Sequence, residues 1–156
     1  MFVLMKNDIT KIDIEKEIMN SNIEYNVIAH DKELLESKDI FEEHLEAQKL
    51  HLERYLVKKD GEYIGILDYG MSSPRAKKPW LSLLVIHNKY QGYGYAKKIY
   101  MTYENIMKNK QVQCIQIAVH TTNKKALHFW TSLGYRHYDE RTYKDKVFYS
   151  LEKNLD

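Results

Sequence analysis

The chain has one cysteine, Cys114, among 156 residues. That excludes an internal disulfide and any zinc site built from several cysteines. Cys114 sits in the apolar run Val112 to Val119 and reads as a small core residue rather than a nucleophile. Only two prolines occur, Pro74 and Pro79. With no proline- or serine-rich linker, no repeat and no low-complexity tract, one domain over residues 1–156 is expected. No apolar run approaches the ~18–20 residues of a membrane span, so no membrane partner is expected. The start, Met1-Phe2-Val3-Leu4-Met5-Lys6, lacks the basic stretch and long apolar stretch of a secretory signal, and a cytoplasmic location is the expectation. Net charge is only +2, without the strong basic bias of a nucleic-acid binder. Arg75-Ala76-Lys77-Lys78 reads as a solvated loop, and no nucleic-acid partner is expected. The histidines show no metal-site spacing, so no metal is expected.

What is present is a soluble-type balance, 44% hydrophobic against 29% charged, with thirteen tyrosines whose rings suit a core and whose hydroxyls suit its edge. Phe2 to Lys6 reads as a strand. Thr10 is a candidate cap for a helix over about 11–20. Residues 21–30 show no decisive pattern. A helical pattern runs from Asp31, a candidate N-cap, to about Gln48, with Leu34, Phe41 and Leu45 recurring at helical steps. Segment 31–54 carries eight acidic and four basic residues, which a solvated helix face explains; attraction of a cationic acceptor is the alternative. Asp60-Gly61 between strand-like Arg54–Lys59 and Glu62–Tyr69 predicts a type I′ hairpin. Met71 to Pro79 is a loop. Trp80 to Ile86 suits a strand buried on both faces. A helix over about 94–108, a strand over 112–119, a helix over about 123–133 stopped by Gly134, and two strands at about 136–142 and 147–152 complete the pattern. The order predicts an α/β (α+β) domain, with one mixed sheet containing a strand–helix–strand crossover.

The chemistry concentrates where strand 80–86 meets helix 94–108, at Gln91-Gly92-Tyr93-Gly94-Tyr95-Ala96. Glycines at a strand-to-helix turn let the backbone approach a ligand, and the unpaired amides of a helix N-terminus form an anion site suited to a pyrophosphate. The dinucleotide pattern fails because its third glycine position is Lys97, and the ATP pattern ending in Gly-Lys-Ser/Thr is absent.

This stretch resembles the [QR]-x-x-G-x-[GA] loop of the GNAT superfamily of N-acetyltransferases. Val85-Ile86-His87 and Tyr90 resemble its flanks. Asn123-Lys124-Lys125-Ala126 with Gly134-Tyr135 resembles the family's second cofactor segment. The resemblance is confined to about residues 54–152. It implies a mostly antiparallel sheet of about six to seven strands flanked by about four helices. It implies acetyl-CoA as cosubstrate, a primary-amine acceptor (small molecule, peptide or protein) that attacks the thioester directly, and it allows a homodimer. The pyrophosphate would rest on backbone amides of residues 92–96, with Gln91 shaping the loop. The pantetheine arm would pair with the backbone of Leu84, Val85 and Ile86, where the family's sheet splays. Asn123, Ala126 and Trp130 would line it from the second helix, and a backbone amide such as that of Val85 would stabilise the oxyanion.

One position departs from the pattern. Many members carry a tyrosine seven residues after the motif asparagine as the acid for the departing thiolate; Trp130 stands there, and an indole N–H is a donor but not a usable acid. No carboxylate lies in strand 80–86. Asp68 and His120 are candidate bases, each with an ordinary structural role as the simpler account, so the catalytic residues are left unassigned. His87 is expected to be structural. The alternative to an active N-acetyltransferase is a non-catalytic acyl-CoA-binding module or regulator with the same fold.

Overall fold

A computed structural model describes all 156 residues, Met1–Asp156. In chain order the elements are β1 (Phe2–Lys6), α1 (Ile12–Asn20), α2 (Ile23–His30), α3 (Ser37–Lys49), β2 (Glu53–Lys59), β3 (Glu62–Gly70), β4 (Trp80–Ile86), α4 (Tyr95–Asn109), β5 (Cys114–His120), α5 (Lys124–Ser132), β6 (Arg136–Tyr143) and β7 (Lys146–Asn154). The strands form one sheet in the order β1-β2-β3-β4-β5-β7-β6. Every neighbouring pair is antiparallel except β4–β5. No helix is long and apolar enough to cross a membrane.

The central hairpin forms as expected: Asp60 and Gly61 both take positive φ, 50° and 83°, which matches the twist of β2 and β3. Side chains alternate across the sheet, so adjacent residues feed opposite cores. Leu56, Ile66 and Val85 pack with Ile18, Met19, Leu35 and Ile40 under α1 and α3. Val57, Leu67 and Ile86 pack with Ile99, Tyr100, Tyr103 and Met107 of α4. Ala126, Leu127 and Phe129 of α5 rest on that second core.

The amino-terminal third corrects three expectations. Five helices form rather than about four, because residues 23–30 are helical. Asp31 does not start a helix; it ends α2 in the left-handed region at φ 60°, a conformation that short polar side chains tolerate. Helix α3 starts only at Ser37, where Asp39 Oδ2 accepts from the Glu36 amide at 2.8 Å. Between them Leu35 turns inward, 3% exposed, and its amide donates to Asn20 Oδ1 at 2.8 Å. Likewise Thr10 does not cap α1: Lys11 holds the N-cap position without a side-chain cap, and Asp8 caps the short turn Ile9–Lys11 ahead of it, accepting from the Thr10 amide at 2.9 Å. Cys114 is half-buried with Sγ 3.7 Å from Glu152 Oε2, and burial pushes its thiol pKa up.

Strands β3 and β4 approach so closely at Gly65 that an added Cβ would lie 2.8 Å from the Val85 carbonyl oxygen and 3.1 Å from Ile86 Cδ1. Gly65→Ala must therefore push β4 aside and is expected to cost ~1–3 kcal/mol. Chemical denaturation measures this; an unchanged midpoint would contradict the close packing of these strands.

Candidate active-site cleft

Strands β4 and β5 share a single registered pair, Trp80–Gln116, where the Gln116 amide donates to the Pro79 carbonyl at 3.0 Å. Beyond it they diverge, and the gap opens a cleft of about 540 Å³ lined by β4, β5, α5 and the β6–β7 hairpin. Ser82 is the extra residue of a bulge in β4, since Leu81 faces Tyr69 while Leu83 faces Asp68. It marks the bend at which β4 leaves β5.

Strand alternation decides which backbone groups of β4 face this cleft. The His87 amide donates to the Ile64 carbonyl at 2.8 Å, and Ile66 lies opposite Val85. The antiparallel pattern turns the amide and carbonyl of Val85 toward β3 and those of Leu84 and Ile86 toward the gap. The expected backbone role of Val85, as pantetheine partner and oxyanion donor, is therefore corrected. Leu84 lines the cleft with Asn123, Ala126 and Trp130. Ile86 faces the gap, but its carbonyl is already engaged by Gln91 Nε2 at 2.8 Å and Asn22 Nδ2 at 3.1 Å.

The glycine loop sits at the end of β4. Gly92 and Gly94 have φ of 87° and 77°, and an added Cβ at either would meet nothing within 4 Å. No amide from Gly92 through Lys97 finds a partner within the chain; the first to do so is Lys98, to the Gly94 carbonyl at 3.3 Å. Consecutive outward amides at the start of a 15-residue helix suit an anion. Gln91 is a tie rather than a ligand in this arrangement. Its Nε2 also donates to Asn22 Oδ1 at 2.7 Å, and its Oε1 lies 3.4 Å from Lys125 Nζ, which joins the loop to α2 and α5. Tyr93 is exposed and stacks on Tyr95, the first residue of α4, which with Ala96 forms the first turn.

Asn123 caps α5 by accepting from the Ala126 amide at 3.1 Å, and its Nδ2 makes no hydrogen bond within the chain. Trp130 is 9% exposed, set edge-on against Tyr100, Phe129 and Tyr135. Its ring belongs mainly to the core, and only one border reaches the cleft. His87 is structural: Nδ1 accepts from the Lys89 amide at 3.2 Å.

The two candidate bases separate. His120 ends β5 and lines the cleft, with its ring 4.3 Å from that of Phe148. Burial, then the charges of Lys146 and His30, push its pKa down, so the imidazole is neutral at pH 7. Asp68 is 3% exposed and bound to Arg54 through Nε at 3.1 Å and Nη2 at 3.0 Å. Arg54 also reaches Glu15 at 2.9 Å, and His44 Nε2 lies 3.1 Å from Glu15. Burial pushes Asp68 up to about 6 although Arg54 pulls it back. Burial, reinforced by the charge of Glu15, pushes Glu43 up to about 7. Sequence reasoning missed Ser82, Tyr25 and Glu43, which carry no local motif.

The cleft, the amide loop and the split sheet together define an α/β protein with an open gap between two diverging strands and a row of unpartnered amides at its mouth. The Acetyltransferase (GNAT) family profile matches residues 16–135. The chain belongs to the GNAT acetyltransferase family and is an acyltransferase. Solved structures share the fold at low identity. An acetyltransferase from Thermus thermophilus is 20% identical, with 99% of this chain and 97% of that one covered and a TM-score of 0.80. The PaiA N-acetyltransferase from Thermoplasma acidophilum, solved with coenzyme A, is 18% identical over 99% of both chains, with a TM-score of 0.69. The yncA structure from Salmonella typhimurium holds its cofactor acetyl-CoA; it is 13% identical, covering 99% of this chain and 94% of that one, with a TM-score of 0.68. No curated protein matches the sequence.

The shifts of Glu43 give a stability test. Its folded pKa of about 7 exceeds the ordinary 4.5, so its stabilising contribution is complete below pH 4.5 and is lost as pH rises through about 7. Glu43→Gln, which cannot ionise, is expected to raise stability at pH 8 by on the order of 1 kcal/mol, with the gain shrinking toward pH 4.5. Thermal melts at the two pH values check it; a destabilised variant at pH 8 would contradict the burial of that charge.

Proposed function

We propose that the chain transfers an acetyl group from acetyl-CoA to a primary amine by direct attack on the thioester. The observation that carries this reading is the row of outward amides from Gly92 to Lys97 at the mouth of the β4–β5 gap. The amides and the helix N-terminus would hold the pyrophosphate, while Gln91 fixes the loop from behind. The backbone of Leu84 would pair with the pantetheine amides as an added strand, with Asn123, Ala126 and the edge of Trp130 opposite. Acetyl-CoA supplies the activated acyl group. The amine lone pair attacks the carbonyl carbon, the C–S bond breaks, and the nitrogen loses a proton while the thiolate gains one. The Leu84 amide supports the developing oxyanion. His120, neutral and in the cleft, accepts the amine proton; Asp68 is committed to Arg54. With Trp130 at the position of the family's tyrosine, solvent protonates the thiolate.

Calorimetry with acetyl-CoA, paired with thiol release across an amine panel, tests the reading. Binding and release are expected; no CoA binding sinks it, and binding without release from any amine indicates a binding module instead. Gly94→Val places a β-branched residue at φ 77° and fills space above the amides, so CoA affinity should fall about tenfold or more. His120→Gln should lower kcat/KM about 100-fold without loss of CoA binding. Unchanged turnover would remove His120 as the base.

A further inference from the structure

Beside the cleft lies a smaller cavity of about 200 Å³, walled by α2, α3, β2, β3 and β4. The two share Tyr25, Glu46, Leu50, Ser82 and Leu83, so they adjoin. The charge of the smaller cavity is unbalanced. Glu43, Glu46 and Asp68 line it and Glu15 stands behind Arg54, so four carboxylates accompany one permanent cation, Arg54. Arg54 satisfies one oxygen of Asp68; Oδ1 is buried without any hydrogen-bond partner, on a residue that is 3% exposed. A surplus of buried negative charge with an unpaired acceptor is costly, and a cation relieves it.

The lining narrows the kind of cation. No group of three His, Cys, Asp or Glu side chains is arranged to hold a metal ion. Instead Glu43 and Asp68 stand near the ring and hydroxyl of Tyr25, whose ionisation both charges oppose. Two carboxylates and an aromatic ring suit an alkylammonium, which has three N–H donors and an apolar stem. Leu50, Leu52 and Leu83 offer that stem an apolar wall.

We propose that this cavity binds the distal ammonium of an acceptor with two cationic groups, a diamine or polyamine, while the reacting amine lies in the cleft beside Leu84. The inference rests on the acetyltransferase reading for the cleft. His30, whose Nε2 is 3.4 Å from Glu43, and His44, bonded to Arg54, border the same carboxylates. Burial pushes the His30 pKa down, which disfavours a second cation beside Glu43.

The test compares 1,5-diaminopentane with 1-aminopentane, titrated calorimetrically at pH 8 into protein saturated with CoA. The diamine is expected to bind about tenfold tighter or more, and Glu43→Gln to shrink that ratio to about twofold. The melts described above confirm that the variant is folded. Equal affinities, absence of binding by both amines, or a ratio that survives Glu43→Gln overturns the proposal. Thiol release from acetyl-CoA with each amine is read separately. Absence of release from these two and from every other amine of the panel overturns the transferase reading, whereas the binding ratio decides the cavity.

Discussion

Everything functional in this chain depends on the separation of β4 from β5 after one shared pair, Trp80–Gln116. A sheet loses ladder bonds by splitting, and exposed strand groups must then be satisfied elsewhere. Both strands tolerate the split because each is held on its far side. Strand β4 is paired along β3 from Trp80 to Ile86, and β5 is paired along β7 from Cys114 to His120. The side chains of Gln91 and Asn22 engage one freed carbonyl, that of Ile86, and leave the edge near Leu84 open. The split is thus a local cost that the outer strands offset, and it exposes strand backbone at the place where an amide-rich arm can pair.

The same divergence explains the position of the anion site. Helix α4 starts where β4 ends, so its unpaired amides sit at the mouth of the gap rather than along its wall. Gln91 is central to that placement, because it links β4, the start of α2 and, through Lys125, the start of α5. Arg54 performs a similar joining role. It binds Asp68 of β3 and Glu15 of α1 and contacts His44 of α3, tying the amino-terminal helices to the sheet. That network does not balance its charge, and the imbalance falls on the side that opens toward the cleft.

The parts legible in the sequence were those set by local backbone chemistry. Gly92 and Gly94 announce positive φ, Asp60-Gly61 announces a tight hairpin, and Asn123 announces a helix start. Asp31 misled because a short polar side chain serves at either end of a helix, and only the chain beyond it shows which. Val85 was misassigned because the facing of a strand's backbone depends on register, here fixed by its pairing with Ile66 across β3. The acidic cavity was invisible for a different reason. Tyr25, Glu43, Arg54 and Asp68 come from four elements and meet only through the packing of α2 and α3 on the sheet. The acidic bias of segment 31–54 was seen, but nothing in it distinguished inward Glu43 from its solvated neighbours.

The central claim is that the loop amides and the free edge of β4 form one continuous cofactor surface. Amide chemical-shift mapping during a titration with CoA tests it most directly. The account predicts large, saturable shifts for Gly92 through Lys97 together with Leu84 and Asn123, and small ones along β1 and β6. Shifts confined to other surfaces, or shifts at the loop with none at Leu84, would contradict it.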